Sequence, residues 1–207
     1  MKRTLLISLA ILLTLGTSLH AAETTRRHPL AYNGFSGGMM LHTGYVSRGH
    51  IAVGAAPAQH IAGMPVGIGG ALKVRFGNHL RIGTEGYASS LSYGDWGSSV
   101  SIGWGGLLAD WCFPMGRFTP YVGATIGGGV VENLTLTSTP PLDLLPEADT
   151  SYRTYGVGLL VPFAGVDYAL TSRISLTFKA DYMFTLGSPK FDTPTGVRCY
   201  VGFMFSH

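Results

Sequence analysis

From about residue 34 onward, apolar and polar residues alternate in segments of about 10 to 14 residues, each closed by turn-forming residues. A period of two places every second side chain on the same face, which predicts strands with one apolar face. Residues 173 to 184 carry the pattern most clearly. Ile174, Leu176, Phe178, Ala180, Tyr182 and Phe184 share one face, and Ser175, Thr177, Lys179 and Asp181 the other. At 66 to 76, Val66, Ile68, Leu72, Val74 and Phe76 oppose Lys73 and Arg75, and at 80 to 88 Leu80 and Ile82 oppose Arg81 and Glu85. In the last segment Val197, Cys199, Val201, Phe203 and Phe205 oppose Arg198, Tyr200, Gly202 and Met204. Four glycine-rich segments of similar length follow the same rhythm at 35 to 46, 98 to 109, 118 to 131 and 155 to 169. Pro120 and Pro162 are expected near a strand end or a bulge, and the register of 155 to 169 is open because both of its faces are largely apolar. The pattern predicts about eight strands.

The connections alternate in length. Short turns fall at Gly77 to Asn78, Pro114 to Arg117 and Thr171 to Ser172, and longer loops at 47 to 64, 90 to 97, 132 to 154 and 186 to 194. Short turns on one rim and long loops on the other belong to a membrane barrel, and strands of about 9 to 11 tilted residues have the length to cross a hydrocarbon core. Phe76, Phe113, Phe118, Tyr168 and Phe205 are predicted near the short-turn rim, and Tyr45, Tyr93, Trp96, Tyr155 and Phe184 near the long-loop rim. Aromatic rings anchor at both membrane interfaces. In lipid no strand edge can stay unpaired, so the sheet must close, and a ring of about eight strands is filled by its own side chains. The fold class expected is all-β, a transmembrane antiparallel up-and-down β-barrel of about eight strands preceded by a cleaved signal peptide.

Composition agrees with lipid on one face: only 12% of residues are charged, 46% are hydrophobic, and 30 are glycine. Lys2 and Arg3 precede an apolar run from Leu5 to Leu15, and Ala21 and Ala22 offer a cleavage site, the order of a secretory signal. The expected division is residues 1–22 signal peptide, 23–33 a short periplasmic N-terminal segment, and 34–207 the barrel. Beyond the signal no apolar stretch is long enough for a spanning helix. Two cysteines are too few for a disulfide framework; Cys112, in a predicted turn, and Cys199, on a predicted lipid face, are expected to stay unpaired. A net charge of +3 without a basic run gives no case for nucleic acid.

Phe118-Thr-Pro-Tyr-Val-Gly-Ala-Thr-Ile-Gly-Gly-Gly129 and the aromatic final strand Tyr200-Val-Gly-Phe-Met-Phe205 resemble the small OmpA/OmpX/opacity-type outer-membrane barrels. The resemblance implies location in the bacterial outer membrane. It also implies folding by the outer-membrane assembly machinery, which reads a final strand ending in an aromatic residue; here Ser206 and His207 follow Phe205.

Strand parity directs Lys73, Arg75, Arg81, Glu85, Lys179, Asp181 and Arg198 into the lumen, where a salt-bridge network is the expected outcome because buried charges need partners. The excess of cations in that set would favour anions if the interior opened. Gly34-Phe-Ser36-Gly-Gly38 has the spacing of a nucleophile elbow but lies in a predicted strand, without the strand-turn-helix setting the motif needs. His42, His50, His60 and His79 are scattered, with no partner at ligand or triad spacing. No catalytic residue, cofactor or metal is expected. The long loops carry apolar side chains, Ile51, Val53 and Ile61 in one and Leu142, Leu144 and Leu145 in another, which are candidates for surface contact. The expected function is a non-enzymatic outer-membrane protein serving envelope integrity or surface interaction through its loops. The expected partners are outer-membrane lipid and lipopolysaccharide, the assembly machinery through the final strand, and an extracellular ligand. A lipid A-modifying enzyme and a small-solute channel are the rival readings, with a soluble periplasmic sandwich behind them.

Overall fold

Alternation carries through into eight long antiparallel strands in the structure, a computed structural model that describes residues 31–48, 50–51, 59–94, 96–136, 150–186, 193 and 195–207. They are β1 (Tyr32–Arg48), β2 (Val66–Phe76), β3 (Leu80–Tyr93), β4 (Ser98–Cys112), β5 (Phe118–Leu136), β6 (Thr150–Ala169), β7 (Ile174–Tyr182, resuming as Phe184–Leu186 after Met183) and β8 (Thr195–Ser206). Each strand pairs with its neighbours in sequence and β8 returns to β1, so the sheet closes on itself. The last seam is fastened at its lower end by His207, whose N–H donates to the Phe35 carbonyl at 2.9 Å and whose carbonyl accepts from Phe35 at 3.2 Å.

The exposed and buried faces are inverted relative to a soluble protein. Met39, Leu72, Leu107, Ile126, Phe178 and Val201 all stand on the outside, and Lys73, Asp110, Lys179, Asp181 and Arg198 turn inward and are buried. An outward belt of this kind on a closed ring requires an apolar surround. That removes the soluble sandwich, in which Phe178 and its equivalents would face a second sheet.

The strands are longer than the alternation predicted at the long-loop end. β3 continues to Tyr93, while β5 and β6, of 19 and 20 residues, take up both ends of the predicted loop 132 to 154, as far as Leu136 and from Thr150. Polar inward residues hide the pattern there: Asn133 and Thr135 fill the lumen position that apolar residues take lower down. Since about 9 to 11 residues cross the core, the upper parts of β5 and β6 stand above the apolar belt. Two residues placed in the upper aromatic girdle belong inside: Tyr93 is buried, and the half-buried Tyr155 holds Thr193 through its hydroxyl at 3.2 Å. Tyr45, Trp96 and Phe184 remain exposed, joined by Tyr152. The short turns are tight. Met115 and Phe118 exchange two backbone hydrogen bonds of 2.7 and 3.1 Å around Gly116, whose φ of 63° suits glycine.

Candidate functional site

Inward parity on adjacent strands gathers the polar side chains into two clusters at different heights in the lumen. In the lower one Lys73 Nζ lies 3.0 Å from Asp110 Oδ2, and Arg81 Nε lies 2.6 Å from Asp110 Oδ1. Arg81 also reaches Asp167 Oδ2 at 2.6 Å, and the Thr177 hydroxyl donates to the other oxygen of Asp167 at 2.7 Å. The Tyr121 ring lies under both cations, 4.4 Å from Lys73 Nζ and 4.6 Å from the Arg81 guanidinium.

The upper cluster is built around Lys179. Its Nζ is 2.7 Å from Glu85 Oε2 and 3.7 Å from Asp181 Oδ2, and Arg198 Nε lies 2.9 Å from Asp181 Oδ1. Thr125 and Tyr87 donate to Glu85 at 2.5 and 3.3 Å. Aromatic faces complete the shell: Tyr200 is 4.4 Å from Lys179 Nζ, and Trp104 is 4.8 Å from the Arg198 guanidinium. His42 is buried among these rings, 4.8 Å from Tyr200 and 5.6 Å from Tyr87.

Glycine makes the room. His42 is paired across the ladder with Gly67, Tyr87 with Gly69, and Trp104 with Gly129. A Cβ on Gly165 would lie 2.5 Å from the Tyr121 ring and hydroxyl. Large and small side chains therefore alternate around the inner wall, which is how a ring this narrow is filled.

The structure brings together six of the seven lumen residues read from sequence, and leaves Arg75 half-buried at the short-turn rim, outside the ion pairs among the described residues. Sequence reading missed Asp110 and Asp167, and with them the charge balance. Lys73, Arg81, Lys179 and Arg198 face Glu85, Asp110, Asp167 and Asp181, so the cation excess disappears. His42, treated as one of several scattered histidines, is a lumen residue. Ser36 sits in β1, paired with Lys73 on one side and Ser206 on the other, in no elbow. Among the described residues no group of three His, Cys, Asp or Glu stands close enough to hold a metal. Cys112 and Cys199 are free; Cys112 is buried as the last residue of β4, not in a turn.

At the long-loop mouth the Tyr93 hydroxyl donates to Asn133 Oδ1 at 2.6 Å and lies 2.8 Å from Thr135 Oγ1. The end of the first loop folds over this mouth. Val46 and Gly63 exchange two 3.0 Å backbone bonds, and Ile61 is completely buried, so it is part of the core and not a surface contact. Ile51 pairs through its backbone with Gln59; Val53, Leu142, Leu144 and Leu145 lie outside the described residues.

A closed ring of eight antiparallel strands, apolar outside and ion-paired inside, decides the architecture. The fold is that of the small bacterial outer-membrane β-barrels. OprG of Pseudomonas aeruginosa matches with a TM-score of 0.55 at 12% identity, over 86% of this chain and 97% of its own. Ail, the attachment invasion locus protein of Yersinia pestis, matches with a TM-score of 0.54 at 10% identity, over 84% and 99%. Neisserial surface protein A matches with a TM-score of 0.50 at 17% identity, over 84% and 98%. The sequence matches no family model and no curated protein, so the likeness is one of fold.

Proposed function

We propose that this protein is a non-enzymatic barrel of the bacterial outer membrane, contributing to envelope integrity and presenting its long loops as a contact surface. The observation that carries the reading is the balanced and packed lumen. Four cations and four carboxylates pair across it with aromatic rings between them, an arrangement suited to a stiff, closed plug. An anion-conducting channel is disfavoured by the same balance. The surrounding lipid, lipopolysaccharide included, is the partner of the belt, and the final strand Thr195–Ser206 is the segment the assembly machinery would read.

Any extracellular ligand belongs at the long-loop rim. The solved complex of Ail holds the heparin analogue sucrose octasulfate. Here the segments at and beyond that rim carry Asp95, Glu132, Asp143, Glu147, Asp149 and Asp192 against Arg48, Arg153 and Lys190, which favours a cationic partner over a sulfated one. The test compares cells with and without the gene by mass spectrometry of lipid A and by sensitivity to bile salts. Unchanged acyl chains with raised sensitivity are expected; altered acyl chains would replace this reading with the lipid A enzyme.

A further inference from the structure

The charges outside the lumen are sorted by rim. The stretches 75–80, 113–118 and 170–174, which form the short turns and the strand ends beside them, contain Arg75, Arg117, Arg173 and His79, and no Asp or Glu. One arginine therefore stands at each of the three short turns, and these recur at every second strand around the ring. Arg117 and Arg173 are exposed, and neither forms an ion pair with a described residue. Their backbones are held in place by the neighbouring strands: Ala169 donates to the Arg117 carbonyl and Ser206 to the Arg173 carbonyl, each at 2.8 Å. The carboxylates of the lower lumen cluster, Asp110 and Asp167, are already engaged by Lys73 and Arg81. At the same end of the barrel stand the exposed rings of Trp111, Phe113, Phe118 and Phe205, which fix that level as the membrane interface.

We propose that the short-turn rim is a binding surface for the phosphate groups of anionic phospholipids in the leaflet that surrounds it. Charge complementarity carries the assignment, and the spacing selects the occupant. Cations distributed around the circumference at headgroup depth meet an annulus of lipids, whereas a docked protein would call for a patch on one side. A guanidinium on a long apolar stem reaches a phosphate from the interface and binds it with paired N–H donors.

The test uses the folded full-length barrel in detergent with equimolar phosphatidylglycerol and phosphatidylcholine of matched chains, the retained lipids being counted by native mass spectrometry. A cation beside an anionic surface favours it by roughly fivefold per arginine. The parent should hold phosphatidylglycerol in clear excess, Arg117→Gln/Arg173→Gln should remove most of that excess and leave what Arg75 supports, and Arg117→Lys/Arg173→Lys should keep much of the preference. Arg153→Gln, at the opposite rim, should change nothing. A heat-dependent shift in gel mobility confirms that each variant has folded; should the double fail it, each single Arg→Gln is scored and should lose part of the preference. Parity in the parent, a preference undiminished by loss of Arg117 and Arg173, or equal loss in Arg153→Gln would overturn the proposal while leaving the barrel and its envelope role intact.

Discussion

Replacing Asp110 by Asn tests whether the lumen network holds the barrel together. Asp110 is the shared acceptor of the lower cluster, 3.0 Å from Lys73 and 2.6 Å from Arg81, with a side chain shielded completely from solvent. The amide keeps the shape and removes the charge. Arg81 retains Asp167 at 2.6 Å, but Lys73, 5% exposed, loses the carboxylate with which it forms its ion pair among the described residues and is left beside the Tyr121 and Phe163 rings. Two cations then face one carboxylate in a water-poor interior. Breaking one side of a buried pair costs about 3–5 kcal/mol, most of it from the stranded charge. Lys73→Met/Asp110→Asn removes one charge of each sign and restores the balance. The double variant should therefore lose less than the sum of the singles, by about 2–3 kcal/mol. Urea unfolding in phospholipid vesicles, followed by tryptophan fluorescence, measures all three. Asp110→Asn within about 1 kcal/mol of the parent, or singles that add to within about 0.5 kcal/mol, would refute the reasoning.

Other predictions follow from packing and facing. Gly165→Ala places a methyl group 2.5 Å from the Tyr121 ring and the Phe178 carbonyl and should cost about 1–3 kcal/mol. Gly103→Ala meets nothing within 4 Å and should be silent in the same unfolding assay; equal effects would remove the role given to the inward glycines. Phe178→Arg puts a cation on the lipid face and should cost about 2–4 kcal/mol near the midplane, seen as loss of the heat-shifted folded band. The folded protein in planar bilayers should show no conductance steps, and regular steps would mean that the lumen opens. Ile61→Asp, at a fully buried position, should free the 59–65 segment and speed amide exchange at Val46 and Gly63, whose bonds tie it down. Unchanged exchange would show that Ile61 does not hold the cap.

Alternation alone shows which way β2, β3, β7 and β8 face, because a charged residue on a lipid-bound strand has a single tolerable direction. Lys73, Arg81, Glu85, Lys179, Asp181 and Arg198 are legible for that reason. Asp110 and Asp167 obey the same rule, and the signal was present. Asp110 is the sole charged residue of β4, one position past the segment read as 98 to 109, and Asp167 lies where both faces of β6 are apolar. Asp110 as the lone charge of β4, and Asp167 as the lone charge of the segment read as 155 to 169, should have fixed the inward face in each case. The long-loop mouth was illegible on physical grounds: above the belt, water replaces lipid, so Glu132 can face out while Asn133 and Thr135 face in, and period-two contrast vanishes. The burial of Ile61 depends on a contact between the first loop and β1 that no local pattern encodes.

The formal charge of +3 comes from residues 1–30, where Lys2, Arg3, Arg26 and Arg27 stand against Glu23; the lumen and the two rims together sum to zero and never meet. Within the lumen, four cations and four carboxylates cancel at contact distance, so the interior exerts little net pull on a passing ion and gains its value as internal bracing. The long-loop rim and its loops carry six carboxylates against three cations, and the short-turn rim three arginines against none. Such a molecule is polarised along its axis, negative on one side of the membrane and positive on the other. On the two proposals made above, charged partners meet the protein at its two rims and are selected there by opposite signs. Asp110→Asn and Arg117→Gln/Arg173→Gln separate the two roles: the first should lower stability, whereas the second should lower lipid preference in a barrel that still folds.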